Sequence, residues 1–182
     1  MKILIAVLLM FFCLAACHKD EKLSPVTATT TAAVLVSPGI TIPDKAVLKL
    51  KLFRDSVIYD ETSISFEHAA SPAYNSNLDA VYFAGFGQLG FASISTDGRD
   101  LSQYVLPYTQ GMAIRLDLHA KTDGICKVMI SDESAIPAGV HIWLKDKLLK
   151  DSVDISKQNY SFNVSLPDTS SFGKNRLAVI LK

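Results

Sequence analysis

The sequence predicts an all-β protein: an antiparallel β-sandwich, jelly-roll or immunoglobulin-like, placed after a signal peptide and a flexible linker. Three observations lead there. From Ala46 onward apolar and polar residues alternate with a period of two, as in strands with one buried face. Turn residues punctuate these runs at short intervals. No segment carries a strong helical stripe. Residues 1–45 follow other patterns, so the chain divides into a leader (1–16), a modified N-terminus with a tether (17–45) and a β domain (46–182).

The alternation assigns the strands in order. Leu48, Leu50 and Leu52 alternate with Lys49 and Lys51, and Ile64 and Phe66 with Ser63, Ser65 and Glu67. Phe91 to Ser95 reads as a strand. Met112, Ile114, Leu116 and Leu118 form one apolar set, opposite Arg115, Asp117 and His119. Cys126, Val128 and Ile130 follow, then Val140, Ile142 and Leu144, with His141, Trp143 and Lys145 on the other side. Tyr160, Phe162, Val164 and Leu166 form the next set, and Leu177, Val179 and Leu181 the last. Asp97-Gly98 and Asp123-Gly124 read as tight hairpin turns, because glycine supplies positive φ. Pro137-Ala138-Gly139 and Phe172-Gly173-Lys174-Asn175 separate later strands. Pro72 to Ala80 is expected to form a short helix.

The N-terminal residues read as an export signal. Met1-Lys2 is a short positive start, Ile3 to Phe12 is apolar, and Leu14-Ala15-Ala16-Cys17 follows. The apolar stretch is shorter than the ~20 residues that span a bilayer. Small residues directly before a cysteine resemble the lipobox of bacterial lipoproteins, which implies cleavage before Cys17 and lipid on its thiol. His18 to Lys22 follows as a solvated spacer. Within it, Lys19-Asp20-Glu21 resembles the short lysine-plus-acid patch that sorts lipoproteins to the cell surface in Bacteroidota. Leu23 to Asp44, rich in Thr, Ala, Pro and Val, reads as an extended tether. A short strand is expected within Ala33 to Val36.

Composition narrows the function. Loss of residues 1–16 leaves 166 residues with 17 basic and 18 acidic side chains, since Lys2 is the only charge removed. That balance offers no basic patch for nucleic acid. Of the three cysteines, Cys13 leaves with the signal and Cys17 carries lipid. Cys126 is then alone, is expected to be a buried small hydrophobe, and has no disulfide partner.

Motifs with chemical potential are few. Gly85-Phe86-Gly87-Gln88-Leu89-Gly90 matches GxGxxG, but a strand follows where a nucleotide site needs a helix, so a glycine loop between strands is expected and no nucleotide. His18, His68, His119 and His141 lack metal-ligand spacing to another His or Cys, and no metal or cofactor is expected. His119 and His141 fall in the outward phase. Asp60, Glu61, Glu67 and Asp79 cluster in sequence without a calcium-loop pattern; Asp79 is expected to cap a turn and Glu61 to pair with a basic neighbour. Trp143, the single tryptophan, falls opposite the Val140-Ile142-Leu144 face and is a candidate glycan platform. Asp55-Ser56-Val57 and Asp151-Ser152-Val153 read as turn tripeptides; they resemble the O-glycosylation acceptor of exported Bacteroidota proteins, making Ser56 and Ser152 candidates.

The order of motifs resembles the β-sandwich module found upstream of the sorting domain in surface and secreted Bacteroidota proteins that use type nine secretion. The likeness runs from about Ala46 to Lys182. It rests on Asp60-Glu61-Thr62-Ser63-Ile64-Ser65-Phe66, Ala70-Ser71, Tyr74-Asn75, Asp79-Ala80, Asp97-Gly98, Leu144-Lys145-Asp146 and Asn175-Arg176-Leu177. Ala73 and Asn75 depart from the usual Gly and Asp, and no sorting domain is seen, a lipid anchor being expected in its place. The resemblance implies fold and location rather than an activity. The expectation is an outer-membrane, surface-exposed lipoprotein, exported across the inner membrane and acting as a non-catalytic adhesion or accessory scaffold. The alternative is a carbohydrate-binding lipoprotein using Trp143. Expected partners are the membrane, through the lipid, and other outer-membrane proteins or glycans.

Overall fold

The computed structural model describes Gly39 and residues 41–85 and 87–182. The leader, Cys17, the Lys19-Asp20-Glu21 patch, His18, the expected strand near Ala33 and most of the tether lie outside these residues. Among the described residues there are eleven strands and one three-residue 3-10 turn, Thr169–Ser171. The strands are β1 (Ala46–Phe53), β2 (Tyr59–Phe66), β3 (Ala80–Val81), β4 (Leu89–Ile94), β5 (Asp100–Leu106), β6 (Ala113–Ala120), β7 (Gly124–Asp132), β8 (Ile142–Asp146), β9 (Asp151–Asp154), β10 (Tyr160–Val164) and β11 (Leu177–Leu181). The domain is all-β.

The strands form one hydrogen-bonded path, β10-β7-β1-β2-β5-β4-β6-β11-β8-β9, with β3 paired to β5. The path wraps into a near-barrel around a single apolar core. Alternation in sequence becomes alternation in burial: Leu48, Leu50 and Leu52 of β1 are fully covered, while Lys49 and Lys51 lie half-buried between them. Ile64, Phe66, Leu116, Leu118, Cys126, Val128, Ile142, Leu144 and Phe162 join the same core. Each buried Leu, Ile or Phe contributes about 1.5–3 kcal/mol through removal of apolar surface from water.

One pairing departs from the antiparallel expectation. β4 and β5 make an antiparallel hairpin through Asp97-Gly98, where Gly98 has φ of 88°. β5 sits between β4 and β2, so it runs parallel to β2, with Ser63–Phe66 beside Gln103–Leu106. The parallel stretch covers only the second half of β2. Along the first half, side chains replace the missing backbone ladder. Phe91 N–H donates to Asp60 Oδ2 at 2.8 Å, and Ser93 N–H to Thr62 Oγ1 at 3.1 Å. Thr62 and Ser93 are fully buried. Asp60 and Thr62 thus join β2 to β4, meeting the demand that buried N–H groups find partners.

β10, one end of the path, is tied to β8 through Arg176 and Asp146, both almost fully covered. Arg176 Nη2 lies 3.0 Å and Nε 3.1 Å from Asp146 Oδ2. Arg176 Nη1 donates to Asn163 O in β10 at 2.8 Å and to Ser171 O, and its guanidinium stacks 4.2 Å from the Phe162 ring. Asp146 also accepts from Tyr160 Oη at 3.1 Å and from Leu148 and Leu149 N–H. A buried ion pair is tolerated when its remaining donors and acceptors are satisfied in this way.

Several local expectations are corrected. Pro72 to Ala80 forms turns, not a helix: Asn77 N–H donates to Asn75 Oδ1, and Asn75 N–H to Asp79 Oδ2, so side chains take the place of helical partners. Asp123-Gly124 is not a hairpin turn. β6 pairs with β4 and β11 while β7 pairs with β1 and β10, so the connection carries the chain from one part of the sheet to another. Asp151-Ser152-Val153 is not a turn but the start of β9. Leu166, in phase with the β10 core residues, lies beyond that strand and is exposed.

Candidate functional site: a histidine–carboxylate cluster beside the glycine loop

The glycine-rich segment leads directly into β4, a strand, so the helix N-terminus a nucleotide phosphate would require is not there. Gly90 has a local reason to lack a side chain. It stands opposite His119 across the β4–β6 ladder, and a Cβ there would overlap the Tyr82 hydroxyl and lie 3.2 Å from His119 Cβ. This permits the Tyr82 and His119 rings to stack at 6.5 Å between centroids and 7° between planes. Tyr82 Oη donates to Asp60 Oδ2 at 2.7 Å. Burial, together with that bond to a carboxylate, pushes the Tyr82 phenol well above its ordinary range. Tyr82, Gly87, Gln88, His119 and Lys121 border a groove of about 190 Å³.

Behind His119 lies the least satisfied polar group of the domain. Asp117 and His119 occupy alternate positions of β6 and share its outward face. His119 is half-exposed, but Asp117 is fully covered. Neither oxygen of Asp117 has a hydrogen-bond partner among the described residues. His119 Nε2 lies 2.9 Å from Asp117 Oδ2, yet the ring nitrogen is not directed along a hydrogen bond to it. Asp100, at the start of β5, brings a second carboxylate, and one donor atom from each of Asp100, Asp117 and His119 falls within 4.8 Å of the others. Lys174, in the loop before β11, places Nζ 2.6 and 2.7 Å from the Asp100 oxygens but 3.9 Å from Asp117 Oδ2. Burial raises the Asp117 carboxyl above its usual range, against the pull of His119 and Lys174.

The second outward histidine makes a different arrangement. His141 Nδ1 lies 2.8 Å from Asp154 Oδ2, where Lys157 Nζ also lies at 3.0 Å, and Ser156 N–H donates to Oδ1 at 3.1 Å. Burial works to raise the Asp154 carboxyl, but the bonds from Ser156, Lys157 and His141 outweigh it and hold the pKa down to about 2.

The remaining candidates are scattered. Trp143 is half-buried on the outer side of β8, between β11 and β9, with Lys182 Nζ 5.8 Å from its ring centre. Ser56 is exposed in a turn where Asp55 Oδ1 accepts Val57 and Ile58 N–H; Ser152 is exposed on β9, the last strand of the path. Cys126 is fully buried, and burial raises its thiol pKa despite nearby Arg54. Asp79 ties a turn to β5, accepting Asn75 N–H at 2.7 Å and Val105 N–H at 2.7 Å. Glu61 accepts from Ser131 Oγ at 2.8 Å, rather than from a basic side chain. The four acids near residue 60 do not converge; the convergent set draws on residues 100, 117 and 119. The sequence signal for it was Asp117-x-His119 on one strand face, which fixes two donors but not the third. Compared with family models, curated proteins and solved structures, the chain matches none of them.

Proposed function

We propose that the protein is a lipid-anchored module of the outer membrane, exposed at the cell surface, whose β domain acts as a non-catalytic adhesion or accessory scaffold. The observation that carries this reading is Leu14-Ala15-Ala16-Cys17, which follows a charged start, a ten-residue apolar run and Cys13. One acyl chain holds a protein only marginally at a membrane, whereas several acyl chains on one cysteine anchor it stably. Residues 17–40 would then be the spacer, because Ile42 packs into the core and Asp44 and Lys45 are hydrogen-bonded to the domain. Such a segment has a coil dimension of roughly 27 Å and reaches roughly 80 Å when stretched. The Lys19-Asp20-Glu21 patch supports export to the outer face, and the likeness to modules of surface proteins agrees with it. A sheet wrapped on one core suits the role of a rigid carrier of loops.

Proteinase K added to intact cells tests the surface assignment. The expected result is cleavage in the tether with a periplasmic marker spared. Protection until the outer membrane is permeabilised would place the domain on the inner side and overturn that part of the reading.

A further inference from the structure

We propose that Asp100, Asp117 and His119 form a binding site for a divalent transition-metal cation, at which Lys174 serves as a displaceable counter-charge. Asp117 is the starting point. A carboxylate removed from water normally gains hydrogen bonds or a cation in exchange. Asp117 is fully covered, and among the described residues neither of its oxygens accepts a hydrogen bond. It is instead turned toward two other groups of metal-ligand type.

The distances are compatible with ligation. His119 Nε2 and Asp117 Oδ2 are 2.9 Å apart in a contact that does not meet hydrogen-bond geometry. Two ligands each about 2.0–2.2 Å from one ion stand roughly 3 Å apart, both directed at the ion. Asp100 completes a set whose donor atoms lie within 4.8 Å of one another. The His119 ring is positioned by its stack on Tyr82, which is itself held by Asp60, so the ligand is oriented from outside the site.

Lys174 shows that the site attracts positive charge, but it satisfies the site only in part. Its ammonium bonds both oxygens of Asp100 and stays 3.9 Å from Asp117. One lysine faces two carboxylates and stands close to only one of them, whereas a dication between them would reach both. The lysine is half-exposed and follows Gly173, whose φ is 87°, so its side chain has solvent to move into.

One imidazole and two carboxylates suit Zn2+ or a neighbouring transition metal rather than Ca2+ or Mg2+, which favour all-oxygen shells. Three protein donors leave a position for water or an outside ligand. His119 also borders the groove beside the glycine loop. The inference is independent of the lipid anchor and would stand if the surface assignment failed.

The test is titration of the metal-free, full-length mature protein in detergent with ZnCl2 by calorimetry, repeated with CoCl2 by visible absorption. The account expects one equivalent of Zn2+ and a Co2+ spectrum of mixed nitrogen and oxygen ligation. His119→Ala alters a half-exposed residue and should weaken binding by more than roughly 100-fold; Asp117→Asn should do the same. Lys174→Met should bind Zn2+ at least about tenfold more tightly, because the competing charge is gone. His141→Ala should bind as wild type does. Circular dichroism of each variant separates lost binding from lost folding, and His119→Ala decides the matter if Asp117→Asn does not fold. Failure of both wild type and Lys174→Met to bind Zn2+, or full binding by a folded His119→Ala, would overturn the proposal.

Discussion

Asp117 and Asp154 are two covered aspartates, each beside an outward histidine, and their surroundings separate them. Asp154 receives Ser156 N–H, Lys157 and His141; Asp117 receives no directed hydrogen bond among the described residues. Asp154 therefore carries a clear acid signature. Its folded pKa, about 2, lies below the ordinary 3.8, so the unfolded chain binds the proton more readily. The stabilisation is fully present above about pH 4 and fades as pH falls toward 2. Urea unfolding of wild type and Asp154→Asn at pH 5 and at pH 2.5 should show wild type the more stable at pH 5, with the gap narrowing at pH 2.5. An equal gap at both values would mean that the ionised carboxylate is not the source. At this scale the sequence was informative about direction and silent about surroundings. Period-two phase put His119 and His141 outside, as observed, but the same rule put Asp117 outside, and it is covered.

Among elements, the join between β2 and β4 is the most particular feature. Thr62 Oγ1 accepts Ser93 N–H, lies 3.1 Å from Ser93 Oγ and donates toward Leu101 O at 3.2 Å. Thr62→Val keeps the shape of the side chain and removes the acceptor, leaving a buried N–H unpaired. The expected cost is about 1–3 kcal/mol, read as a lower urea midpoint with unchanged slope. A midpoint equal to wild type would show that Ser93 N–H finds another partner. Strands with one face in the core were legible: β1, β2, β7, β8 and β10 follow the alternation, and β6 does except at covered Asp117. β5 was not, because Tyr104, Val105 and Leu106 are buried in succession and the period is lost. β9 was hidden by its length, four residues that begin like a turn. The parallel β2–β5 contact joins strands separated by β3 and β4, and nothing in local pattern specifies it.

At the scale of the whole molecule, the all-β class and its main turns were readable because core alternation and glycine turns are local signals. The candidate cluster was readable only in part. Asp117-x-His119 lies on one strand, but Asp100 and Lys174 reach it through the order of strands and loops, which sequence spacing does not reveal. The proposed function rests on delivery of that domain to a membrane by its N-terminal residues. The most direct measurement is the intact mass of the protein extracted from the membrane fraction, beside a Cys17→Ser variant. The account predicts a chain beginning at Cys17, 166 residues long, carrying the added mass of a diacylglyceryl group and an amide-linked acyl chain, with the variant neither cleaved there nor lipidated. A wild-type chain cut elsewhere, or one beginning at Cys17 without lipid mass, would contradict it.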